Sequence, residues 1–182
     1  MAKNQRGFSL TEALMALVLV ITMSSVAVMQ LRASRSLIDA DKACDLVASQ
    51  LRFARQISAD QRRNVLVEFV GTNRIRLTRQ DGGGATTVVS DVLLPSGFTF
   101  AIPMGAADTP DGYGNGAPVF FSGDAGGAFL PDGVFVNATN IVLNGSVFTM
   151  GAGPSTARAV TLNGASGRTN IYRLEGTSWV AR

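Results

Sequence analysis

The chain has no histidine and a single cysteine among its 182 residues. The first absence removes the commonest general base and the commonest metal ligand. The second means that Cys44 cannot form an intramolecular disulfide, so cysteine pairing says nothing about the compartment. No serine lies in a recognisable activating motif, and Lys42 is the only lysine beyond residue 7 that could serve a Ser–Lys pair. The composition points away from an enzyme, and no cofactor or metal is expected. Proline is missing from Met1 through Leu94 and glycine from Phe8 through Val70. With both breakers absent, nothing there interrupts a long helix. Charge is missing from Ala13 to Met29. The formal net charge is only +3, and Lys3 and Arg6 carry two of those charges, which excludes a polycation that demands an acidic partner.

What is there begins with the stretch Lys3 to Leu31. A short polar, basic leader ends at Gly7, and an apolar run follows at once with one acid in it, Glu12. With Phe8 and Leu10 included, the run reaches the roughly 20 residues a helix needs to cross a bilayer. An ordinary secretory signal places its small-residue cut after the apolar core. Here the small residue lies before it, so a cut after Gly7 would discard the leader, keep the helix and make Phe8 the new N-terminus. A carboxylate within a membrane helix is costly and needs a partner.

Beyond the apolar run, Leu37, Ala40, Cys44, Val47, Leu51 and Ala54 recur at spacings of three and four, with Leu46, Phe53 and Ile57 widening the same side. The spacing predicts an amphipathic helix continuing to about Asp60, with Asp39, Asp41, Lys42, Asp45, Ser49, Arg52, Gln56 and Asp60 mostly exposed. Val65–Val70, a Gly71-Thr72-Asn73 turn and the alternation through Thr78 predict a hairpin. Further strands are expected at 86–94, 98–102, 118–122, 134–136, 140–143, 147–150, 158–162, 169–174 and 178–180, with a glycine-rich turn at 123–127. Residues 103–116 read as a long loop of the functional or mobile kind. The fold class is α+β: a long N-terminal helix, membrane-spanning in its first half, packed on an antiparallel β-sheet. The divisions are 1–7 leader, 8–30 apolar helix, 31–62 amphipathic half of the helix, and 63–182 β-rich domain.

Gly7-Phe8-Ser9-Leu10-Thr11-Glu12 resembles the class III signal of type IV prepilins and pseudopilins. The resemblance implies cleavage by a prepilin peptidase between Gly7 and Phe8, N-methylation of Phe8, and a salt bridge from Glu12 to the Phe8 amine of a neighbouring subunit in the filament. It implies a single-pass protein of the cell inner membrane with its C-terminal domain in the periplasm. The partners are then the peptidase, membrane lipid, and other pilins or pseudopilins of a type II secretion pseudopilus or type IV pilus. Asp41–Gln61, with its Leu51-x-x-Ala54-Arg55 segment, resembles the helix of H-type minor pseudopilins and FimT-like or FimU-like minor pilins. Arg158–Leu162 followed by Gly167-Arg168 resembles their final strand pair. Many major pilins carry a proline in the membrane half of the helix and a C-terminal disulfide. This chain has neither, which points to a minor subunit.

Some FimT-like minor pilins bind DNA near such a Gly-Arg turn, so Arg168 and Arg173, with Arg74 and Arg76 (and Arg79) as a second cluster, are candidate DNA-binding residues for an alternative role in DNA uptake. A second arginine two residues after Arg168 is missing, since Asn170 stands there. Phosphate binding needs several cations on one surface, so a contiguous patch including Arg168 would favour the DNA reading and a scattered arrangement the structural one. Asp108, Asp111, Asn115 and Asp124 are oxygen ligands of the type calcium uses, but their spacing does not fit the helix–loop–helix calcium pattern and turn chemistry explains them without a metal. Cys44 reads as a small buried hydrophobe and Trp179 as a packing residue closing the sheet.

Overall fold

The computed structural model describes residues 10–182. Helix α1 runs Leu10–Gln61, and eleven strands follow it. The chain divides into two units at Ser36/Leu37.

In the first unit, α1 is apolar nearly all round, with an 18-residue window of mean hydropathy 2.2 and none of that window buried. Leu14, Met15, Leu17, Val18, Leu19, Val20 and Ile21 are all more than half exposed. Its hydroxyls satisfy themselves within the helix: Thr22 Oγ1, Ser24 Oγ and Ser25 Oγ donate to the carbonyls of Leu19, Val20 and Ile21 at 2.9, 2.7 and 2.8 Å. A helix whose backbone and hydroxyls are internally bonded can lie in a medium without water. By length and composition this segment can span a membrane.

In the second unit, α1 from Leu37 onward buries a stripe of small residues, Ala40, Ala43, Cys44, Val47, Ala48, Leu51 and Ala54. Alanine at four of these positions lets the helix backbone approach the strands closely. The stripe keeps Ala40, Cys44, Val47, Leu51, Ala54 and Ile57 of the expected face and differs at its edges. Leu37 and Phe53 are 41 % and 42 % exposed, and Ala43 and Ala48 take their place inside. The sequence spacing was compatible with both, and only the strands beneath the helix decide between them.

The strands form two antiparallel sheets rather than one. The first has order β3-β2-β1-β6-β7, from Thr86–Leu93, Arg74–Gln80, Val65–Val70, Gly126–Phe129 and Phe135–Val136. The second has order β11-β10-β9-β8-β4, from Ser178–Ala181, Arg168–Glu175, Arg158–Asn163, Gly145–Met150 and Thr99–Phe100, with β5 (Val119–Phe121) also pairing β8. The β1–β2 hairpin closes through Val70↔Arg74, as the turn residues predict. Aromatic rings join the sheets: Phe69 of β1 meets Phe100 of β4 edge-on at 5.4 Å and stacks on Phe121 of β5 at 5.9 Å. Phe121 in turn meets Phe135 of β7 at 5.1 Å. Such pairs add roughly 1 kcal/mol each beyond the area they bury.

Two expected segments differ. The glycine-rich 123–127 stretch ends inside β6, where Gly127 pairs with Val67. Residues 140–143 form no strand and only the bridge Val136↔Val142. Asn137 Oδ1 accepts hydrogen bonds from Thr139 N, Thr139 Oγ1 and Ile141 N, which curls this segment into a side-chain-closed turn.

Candidate functional site

Gly7 and Phe8 lie outside the described residues. Glu12 lies near the start of the described part of α1 and is exposed. From Ala13 to Leu31 no other charge interrupts the apolar segment that follows it.

The four candidate arginines do not converge. Arg74 and Arg76 lie on β2 of the first sheet and both reach Asp91 of β3, at 3.1 and 3.2 Å. Arg79 pairs with Asp81 at 2.6 Å. That pairing, together with a hydrogen bond from Thr87, holds the Asp81 carboxyl below its usual range. Arg168 and Arg173 lie on β10 of the second sheet, five residues apart, so the pleat turns them to opposite faces. Arg173 pairs with Glu175.

The long loop is tied down rather than loose. Asp108 accepts from the backbone N–H groups of Thr109 and Gly114 at 2.7 and 3.0 Å. Asp111 accepts from Thr161 Oγ1 of β9, and from Asn170 Nδ2 and Tyr172 OH of β10 at 3.2 and 2.9 Å. Burial pushes the Asp111 carboxyl up, but these three donors and the Arg168 charge outweigh it and hold it below the usual carboxylate range. Burial and the bond to Asp111 raise the Tyr172 hydroxyl. Trp179 Nε1 donates to the carbonyl of Ala107 at 2.8 Å, so the indole clamps the loop as well as packing on Phe148. Of the candidate calcium ligands, Asp108 and Asp111 accept the hydrogen bonds above, and Asn115 donates through Nδ2 to the Ala106 carbonyl. Asp124 lies apart, in a bridge with Phe121. Among the described residues, no group of three or more acidic or cysteine side chains could hold a metal.

Cys44 is fully buried, and burial pushes its thiol up to about 12. It packs as a small apolar residue and is no nucleophile at neutral pH.

Two arrangements were not singled out from sequence. Arg158 is 2 % exposed and joins β9 to α1 through Asp41 at 2.7 Å, with further bonds to the carbonyls of Ser155 and Ala157. Arg55 lies across two turns, against Gly133 between β6 and β7 and Gly167 between β9 and β10. A Cβ on Gly167 would stand 2.5 Å from Arg55 Cδ and 2.8 Å from the Gly133 carbonyl, and a Cβ on Gly133 would stand 2.8 Å from Arg55 Nε. Both glycines have φ near the left-handed region, +65° and +85°. Arg55 belongs to the Leu51-x-x-Ala54-Arg55 segment, which was the available signal. Nothing local in sequence pairs it with Gly167.

No family model matches this chain, and neither a curated protein nor a solved structure does.

Proposed function

We propose that the chain is a minor pilin-like subunit, cleaved after Gly7 and assembled through its apolar helix into a type II secretion pseudopilus or type IV pilus, or placed at its cap. The observation that carries this reading is that Gly7, Phe8 and Glu12 stand together in sequence directly ahead of an apolar stretch whose most apolar 18-residue window has no buried residue. An apolar helix with no internal partner needs lipid or other helices around it.

The mechanism is assembly rather than catalysis. Prepilin peptidase hydrolyses the Gly7–Phe8 bond at the cytoplasmic side of the inner membrane, and the Phe8 amine is methylated. The helix rests in lipid, with the β-rich domain in the periplasm, and then passes into a core of sibling helices. A carboxylate at membrane depth is costly, and its energy depends on what it meets there. Pairing Glu12 with a neighbour's Phe8 amine favours one axial register over the others. Assembly register is thereby coded by a single side chain.

The dispersed arginines support the structural reading over DNA uptake. Arg74, Arg76 and Arg173 are held by carboxylates, and Arg168 lies on the other sheet from Arg74 and Arg76 and alternates in face with Arg173. Testing requires Glu12→Gln in a strain making the filament. Cleavage after Gly7 should be unchanged while incorporation into filaments falls at least tenfold; unchanged incorporation would remove Glu12 from the mechanism.

A further inference from the structure

Arg52 and Arg55 lie three residues apart on α1 and, unlike Arg74 and Arg76, share no carboxylate. Arg52 Nε donates to Thr169 Oγ1 of β10 at 3.0 Å. Arg55 is pinned against Gly133 and Gly167. Both side chains are therefore held in place by neutral contacts. Among the described residues, neither forms an ion pair and the Arg55 guanidinium donates no hydrogen bond. With Gln56 they line a cleft of about 270 Å³, whose opposite wall carries Asp132 and Gly133 and which Asp60 also borders. A guanidinium oriented by packing, with its fork of donors open to a cleft, is preorganised for a planar anion.

We infer that this cleft seats an acidic side chain of a neighbouring filament protein. The inference rests on the filament reading above. The carboxylates of Asp60 and Asp132 decide between a protein and a nucleic acid. An extended phosphate backbone would meet two anions for two cations, and the next cation, Arg168, projects from the face of β10 opposite to the one Arg52 holds through Thr169. A peptide can set one carboxylate on the arginines and offer N–H groups or a lysine to the aspartates. The cleft is thus complementary to a mixed-charge protein surface, which confers partner choice more than bulk attraction.

The test places a photo-crosslinking residue at Ala59, which lines the cleft, in the full-length protein within cells that build the filament. Irradiated adducts are sequenced by mass spectrometry. We expect an adduct to a filament protein at a segment holding Asp or Glu. Its yield should fall about tenfold in Arg55→Gln, the loss that one charge-assisted pair represents. Because Arg55 also packs on Gly167, Gln56→Glu is the second variant: it puts a competing carboxylate in the cleft, leaves those contacts alone, and should reduce the yield equally. An adduct to nucleic acid, or unchanged yield in both variants, overturns the inference. So does the absence of any adduct in a protein that is cut after Gly7 and methylated on Phe8, and in that case the filament reading survives. If Phe8 is not exposed by cleavage, both fall together.

Discussion

Arg55 of the helix lies directly against Gly167 of the β9–β10 turn, and the two cannot be changed independently. A methyl at Gly167 meets Arg55 Cδ and the Gly133 carbonyl, at a backbone φ of +65° that L side chains resist. Gly167→Ala should destabilise the protein by about 2–3 kcal/mol. Arg55→Ala removes the steric part, so the double variant should recover about half of that loss. Urea unfolding of the detergent-solubilised chain measures this cycle, and strict additivity would contradict it.

Acid should release the long loop. The folded Asp111 carboxyl titrates below its unfolded value of about 4. Its contribution is fully present above pH 4 and is lost as pH falls through the lower, folded value. Trp179 is the only tryptophan and bonds to this loop, so its emission reports the event. Emission should be constant from pH 7 to about pH 4 and shift below it. Asp111→Asn should show the shifted signal at neutral pH and lose the acid step.

The buried Arg158 should depend on Asp41. Asp41→Ala leaves a guanidinium at 2 % exposure with only carbonyl partners, and should cost about 2–3 kcal/mol. That is below the full penalty of a broken interior pair because Asp41 itself is 35 % exposed. Arg158→Met combined with Asp41→Leu should be less harmful than Asp41→Ala alone, by the same unfolding measurement.

Cys44 should be silent. With its thiol at about 12 and its side chain fully buried, it should resist iodoacetamide at pH 8 in the folded chain and react in denaturant. Rapid alkylation of the folded protein would contradict the packing described here.

Local pattern made the helix and the first hairpin readable, because α1 has no breaker before Gly71 and β1 alternates cleanly. It also made Cys44 readable as core. The division into two sheets was not readable, since strand partners such as β1 with β6 are some sixty residues apart and no turn joins them. Gly126 and Gly127 looked like a turn by composition but lie within a strand. Asp108 and Asp111 looked like ligands or turn formers, and the hydroxyls and amides that fasten them come from both the loop and strands far along the chain. Arg55 was visible as part of a motif, but its contact with Gly167 exists only in three dimensions.

Processing of the chain's first residues is tested most directly by the intact mass and N-terminal sequence of the protein extracted from membranes, with and without Gly7→Leu. We expect a mature chain beginning at methylated Phe8, and a full-length precursor when Gly7 is replaced. A retained Met1 in the unaltered protein, or a cut beyond the apolar run, would contradict this expectation and leave an anchored or secreted β-rich domain.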